Sequence, residues 1–140
     1  MKNKEYTAAV ENGFYPEDQV VPIDDFFKDE RGEIKNLLFT PINSVAIINS
    51  KAGTVRSNHY HLSDFHYLYV ISGSMEYYER DIGQSSDEIK PIIVKTGQMV
   101  FTPPHKVHKT VFLEDTVLLS CAKNVRDNEH HEQDVVRIEF

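Results

Sequence analysis

The chain has one cysteine in 140 residues, Cys121, so no disulfide forms within it. Cys121 lies in the apolar run Val117–Ala122, which predicts a buried small hydrophobe rather than a reactive thiol. No stretch approaches the ~20 consecutive apolar residues of a membrane span. The opening residues, Met1–Tyr6, lack the apolar core of a signal peptide, so the expected address is cytoplasmic. Positive charge is in deficit: 15 Lys and Arg stand against 22 Asp and Glu, a net charge of −7. That balance excludes nucleic acid or an anionic membrane as the main partner, while leaving room for a local basic pocket that takes an anionic small molecule. Internal repeats, low-complexity tracts and linkers are all absent. No segment carries helical periodicity over three turns.

What the chain does have is β-forming residues, including eight Phe and seven Tyr. A length of 140 residues is enough for one domain with one core. Residues 1–28 are polar, contain Pro16 and Pro22, and read as an irregular N-terminal arm with a short strand near Val20–Ile23. Asp29-Glu30-Arg31-Gly32-Glu33 reads as a turn. Ten strand-like runs of four to eight residues then follow through residues 29–140, among them Val55–His61, Phe65–Ser72, Val107–Leu113 and Val135–Phe140. Pro41, Gly53, Gly73, Gly83, Pro91, Gly97 and Pro103-Pro104 separate these runs, and the charged stretch Asn124–Asp134 reads as a surface crossover. The expected class is all-β, an antiparallel sandwich or small barrel.

Five of the seven histidines fall between His59 and His108. In a strand, His59-Tyr60-His61 puts two imidazoles on one face. If the strand carrying His66 pairs beside it, His66 reaches the same point, and closing the sheet brings His108 opposite. Three or four convergent imidazoles form a site for a divalent transition metal. His130-His131, set among acidic residues, reads as solvated surface. So does His105 in its Pro-Pro-His turn. Arg56, three residues before His59, falls on the other face of the strand unless a bulge re-aims it. Tyr67, Tyr69, Tyr77 and Tyr78 read as packing or as a dimer face.

The spacing Gly53, five residues, His59, one, His61, four, His66, six, Gly73 resembles the first motif of the cupin superfamily, with His66 where Glu is usual. Gly97, five residues, Pro103, then His105 and His108, resembles the second motif, with His105 in a slot usually held by Gly and Phe112 where Asn is common. The resemblance implies an antiparallel cupin β-barrel, or double-stranded jelly roll, over residues 29–140. It also implies metal ligands at His59, His61 and His108, with His66 as the fourth. An all-nitrogen set favours Zn, Fe, Ni or Cu, with Mn also open, over Mg or Ca.

Asp29-Glu30-Arg31-Gly32 and the Arg56-x-x-His59 spacing resemble the nucleotide-sugar branch, which includes dTDP-4-dehydrorhamnose 3,5-epimerase and the dTDP-sugar 3,4-ketoisomerases. The Asn58-His59-Tyr60-His61 core is similar to that of cupin domains fused to a reductase in capsular-polysaccharide enzymes. These resemblances imply a homodimer and an epimerase or isomerase of a keto-sugar nucleotide. Such chemistry needs a base for a carbon-bound proton and a group that stabilises the enolate. The expected catalytic residues are His66, Tyr60 and Arg56. A nitrogen bound to metal cannot also take a proton, so if His59 is a ligand the base is His66, His105 or a carboxylate such as Glu76; if no metal binds, His59 is itself the base candidate. Tyr60, Tyr67 or Tyr78 would return a proton on the opposite face. Two other readings stay open: an Fe(II)-dependent dioxygenase, and a ligand-binding cupin without catalysis.

Overall fold

The computed structural model describes residues 1–138. Among these residues are twelve strands, two short α-helices and one 3₁₀ turn at Ser86–Glu88. Two five-stranded antiparallel sheets face each other. The first runs in the order β1 (Val20–Val21), β9 (Met99–Thr102), β6 (His66–Ser72), β11 (Thr116–Ala122), β4 (Ser44–Ser50). The second runs β12 (Val135–Arg137), β5 (Val55–His61), β10 (Lys106–Phe112), β7 (Ser74–Asp81), β8 (Ile92–Lys95). This is the expected jelly roll. A separate hairpin pairs β2 (Asp25–Asp29) with β3 (Gly32–Asn36), and the Asp29–Gly32 turn forms its tip. Of the expected strand Val135–Phe140, residues Val135–Arg137 are paired, and Glu139 and Phe140 lie outside the described residues.

Period-2 alternation divides the apolar residues between two cores. Leu68, Val70, Met75, Tyr77, Phe112 and Leu118 point inward and fill one end of the space between the sheets. The opposite end is lined by the histidines. Residues of the alternate register, Tyr67, Met99, Phe101 and Cys121, point outward and form a second core on the back of the first sheet. Cys121 is buried, as its apolar run predicts.

What covers that second core corrects the reading of residues 1–28 as irregular. Asn3–Glu11 forms a helix, α1, whose Tyr6 and Val10 lie one turn apart and are 2% and 1% exposed. Burying two such side chains contributes roughly 1.5–3 kcal/mol each. The Asn3 amide group donates to the Pro22 and Leu37 carbonyls at 2.8 and 2.7 Å, tying the helix to the arm. Nine residues with two apolar anchors are too short to announce a helical period, and tertiary burial supplies most of the stability. The expected short strand near Val20 is present and pairs with β9.

The hairpin at Ser72-Gly73-Ser74 is as the sequence predicts. Gly73 has φ +101°, and a Cβ there would lie 2.4 Å from Thr116 Oγ1 and 2.7 Å from the Asp115 carbonyl. Only glycine admits both the backbone conformation and the close approach.

Candidate functional site

The neighbour relations differ from those expected. β5 and β6 do not pair: β5 lies between β12 and β10 in the second sheet, and β6 lies in the first. His108 is the direct cross-strand partner of His59. His66 reaches the site from across the sandwich, opposite His61 rather than beside it. Sequence distance suggested the reverse because a jelly roll sends consecutive strands to different sheets.

The rings nonetheless converge. Centroids of His59 and His61 are 4.9 Å apart, those of His59 and His108 4.7 Å, and those of His61 and His66 4.6 Å. All four side chains are buried. One donor nitrogen from each of His59, His61 and His108 falls within 4.8 Å of the others, and a second group of the same tightness is His61, Asp64 and His66. The expected set of four is thus a triad and a His–Asp pair joined through His61.

Two of the three imidazoles in the triad have an orienter. His61 Nδ1 lies 3.1 Å from Asp134 Oδ2, which accepts its proton and leaves Nε2 as the free lone pair. Asp134 is itself held by the backbone N–H and hydroxyl of Ser63 at 2.8 and 2.9 Å. His108 Nδ1 faces the Lys106 carbonyl at 3.3 Å, again leaving Nε2. His59 Nδ1 is buried and meets no partner among the described residues. Burial pushes the His59 imidazole down to about 3, with nearby His61, His131 and Arg137 adding to the effect. Burial first, then His66, lowers His61 to about 4 against the opposing pull of Asp64 and Asp134. His108 is pushed well down by burial and its two neighbours. Three neutral imidazoles therefore face one point, with one orphaned nitrogen and two lone pairs set by their second hydrogen bonds. That arrangement fits a divalent transition metal.

His66 Nε2 lies 2.9 Å from Asp64 Oδ2, and Asp64 Oδ1 accepts the Asn124 N–H at 2.9 Å. Burial raises the Asp64 carboxyl, but the His66 contact and the Asn124 N–H outweigh it and hold the group below its ordinary value. Ionised Asp64 accepts the proton on Nε2, which leaves Nδ1 of His66 as the basic nitrogen.

Arg56 is turned into the cavity by a bulge in β5. Between His59, paired with His108, and Ser57, paired with Lys109, Asn58 is unmatched. Ser57 and Asn58 adopt φ of +79° and +58°. The extra residue shifts the alternation, so Arg56, opposite buried Thr110, faces inward with His59. Ser50 Oγ and the Asn49 carbonyl hold its guanidinium at 2.8 and 3.2 Å. Tyr60, expected to be catalytic, keeps the outward register opposite Val136 and does not line the cavity. Tyr67 lies in the outer core, Tyr78 and Glu76 bond each other away from the cavity, and exposed His105 has φ +63° where glycine is usual. Among the described residues no tyrosine lines the cavity wall.

The cavity has a volume of about 440 Å³, within the usual range for small-molecule sites. Its wall includes residues the sequence reading left out. Asn128–Asp134 forms a second helix, α2, which delivers His131 to within 5.8 Å of the His61 ring and Asp134 onto His61. This corrects the reading of His131 as solvated surface, while His130 is exposed and caps onto Asp127. Arg126 and Arg137, flanking α2, also line the cavity. The Asp127 N-cap was the legible signal for the helix.

The sequence profile of the cupin domain matches residues 46–120, more than half of the chain. The chain belongs to the cupin family. By sequence, no curated protein matches this cupin. Several solved structures resemble it. The capsular polysaccharide assembling protein CapF from Staphylococcus aureus is 23% identical with a TM-score of 0.63, covering 85% of this cupin and 33% of CapF. The cupin thus spans about a third of that protein's length. QdtA, a sugar 3,4-ketoisomerase from Thermoanaerobacterium thermosaccharolyticum in complex with TDP, is 20% identical with a TM-score of 0.65, covering 82% of this cupin and 84% of that chain. The dTDP-4-dehydrorhamnose 3,5-epimerase from Sulfolobus tokodaii is 16% identical with a TM-score of 0.65, covering 84% and 75%. At these identities the likeness is one of fold.

Proposed function

We propose that this cupin is a metal-binding isomerase of a keto-sugar nucleotide, with His59, His61 and His108 as the metal ligands and His66 as the base. The observation that carries the reading is the buried His66–Asp64 pair at the wall of a histidine-lined cavity. An ionised carboxylate fixes one imidazole nitrogen as a donor, so the other is free to accept a proton from carbon. The fold likeness to sugar-nucleotide ketoisomerases and epimerases supports the substrate class.

His66 takes the proton from the carbon next to the ketone and returns it to the former carbonyl carbon. The adjacent hydroxyl proton passes to the other oxygen, which completes the exchange of ketone and alcohol. A metal on the three-histidine face would supply Lewis-acid polarisation of a carbonyl oxygen. Arg56 adds positive charge to the same wall and stabilises a developing oxyanion. Inversion of configuration calls for a second proton donor facing His66, and no tyrosine lines the cavity to serve as one. Isomerisation by a single base is therefore preferred over epimerisation.

The deciding experiment incubates the purified protein with a TDP-4-keto-6-deoxyhexose in deuterium oxide. The expected outcome is a regioisomeric ketone carrying solvent deuterium, with no oxygen consumed. Oxygen uptake coupled to substrate would instead indicate the dioxygenase. Binding without exchange would indicate the non-catalytic module.

A further inference from the structure

Among the described residues, five histidines and three arginines but no carboxylate face the histidine-lined cavity, in a chain whose net charge is −7. The nearest acids are spent elsewhere. Asp64 accepts from His66 and Asn124, Asp134 accepts from His61 and Ser63, and Glu132 pairs with Arg137 at 2.7 Å. Arg126 is half-buried and makes no ion pair among the described residues. The nearest partner of its side chain is His131 Nδ1, 3.4 Å from Nε. Its backbone is pinned by a 2.7 Å bond from N–H to Ser44 Oγ.

Arg126 also stands at a junction. A second cavity of about 500 Å³ shares Arg126, His131 and Ser120 with the first and extends along Asn43, Ser44, Val45 and Ala46; its one carboxylate, Asp127, accepts the His130 N–H at 2.9 Å. Ser44, Val45 and Ala46 begin β4, the edge of its sheet, so one side of the backbone there has no strand partner among the described residues. Two compartments joined at a guanidinium that feels Asp64 but has no ion-pair contact among the described residues suit a long ligand with an anionic middle. A guanidinium binds phosphate oxygens through paired N–H donors, and a water-poor wall strengthens the contact.

We infer that Arg126 holds the diphosphate of a nucleotide-linked substrate at the junction, with the sugar over the histidines and the nucleoside in the second cavity. This rests on the function proposed above and assigns the parts of the ligand to parts of the wall. Arg56, on the same strand as His59, adds to the field in the first cavity, and Arg137, on the neighbouring strand and ion-paired with Glu132, also lines it. The α2 segment then has two tasks: Asp134 orients His61, and Arg126 anchors the substrate whose sugar meets that histidine.

Titration calorimetry with thymidine diphosphate, inorganic pyrophosphate and thymidine tests the assignment. Thymidine diphosphate is expected to bind, and thymidine at least thirtyfold more weakly. Arg126→Gln should weaken thymidine diphosphate and pyrophosphate alike by tenfold or more and reduce the salt dependence of binding. Ala46→Leu, which fills the second cavity, should weaken thymidine diphosphate and leave pyrophosphate unchanged. Unchanged affinity for thymidine diphosphate in Arg126→Gln, or equal affinity for thymidine and its diphosphate, overturns the inference. If the Gln variant does not fold, Arg126→Lys with Ala46→Leu decides, with loss of diphosphate affinity in both expected. Diphosphate binding through Arg126 without deuterium exchange sinks the isomerase and spares this assignment. Exchange with an unaltered KM in Arg126→Gln does the opposite.

Discussion

At the scale of residues, the proposed function gives the proton to His66 and the metal to His59, and each role has its own signature. His59 brings an orphaned, buried nitrogen to the triad and His108 its cross-strand partner. His59→Ala combined with His108→Ala is expected to abolish metal retention, measured by elemental analysis of protein purified without a histidine tag. Full metal occupancy in that variant would show that the ligands lie elsewhere. In the proposed mechanism Asp64 is a positioning residue that acts through His66, 2.9 Å away. Asp64→Asn can donate to Nε2 and so moves the proton to Nδ1, which removes the base. We expect kcat to fall by ~100-fold or more, with KM and metal content close to wild type. A parallel loss of metal would place His66 and Asp64 among the ligands instead. Residue identities announced this much of the site, because His-x-His on a strand has one geometric meaning. Asp64 and Asp134 carried no such signal, since an acid on a connecting segment looks the same whether it faces water or an imidazole.

Elements decide which of those residues meet. The bulge at Ser57-Asn58 turns Arg56 inward while leaving Tyr60 outward, a one-residue change in alternation that no propensity announces. Ser57 stands there at φ +79°, a conformation that residues other than glycine rarely adopt. The two motifs also rely on tight turns. Gly73→Ala forces a Cβ onto Thr116 and Asp115 at a positive φ, and is expected to cost about 2–4 kcal/mol. The melting temperature should drop by roughly 10 °C, read by calorimetry, and an unchanged value would mean the hairpin relaxes without strain. α1 and α2 were the elements hardest to read. Each has fewer than three turns, and each is stabilised by what it covers or caps rather than by its own period.

For the whole molecule, burying three imidazoles at one end of the sandwich links stability to pH. His59 and His61 are held at about 3 and 4 in the fold, against about 6.5 in the unfolded chain. Between those values the unfolded state binds more protons, so stability falls as pH falls. The metal-free protein should be insensitive to these groups above about pH 7 and lose stability from about 6.5 toward 4, by ~1.4 kcal/mol per pH unit for each titrating histidine. Urea midpoints across that range, taken after chelation, check it. A midpoint that rises on acidification would mean the histidines are charged in the fold.

Composition and spacing determined the class of this protein by themselves. Alternating apolar residues cut by glycine and proline specify antiparallel strands, and the two glycine-to-histidine spacings specify a cupin with His59, His61 and His108 together. Those are local properties, set by the period of a strand and the conformations of turns. Tertiary structure alone decided that His66 faces its partners across the sandwich, that Asp64 and Asp134 orient the imidazoles, and that Arg126 and His131 close the cavity. Such contacts join residues up to 73 positions apart, and they arise from packing two sheets face to face rather than from any pattern along the chain.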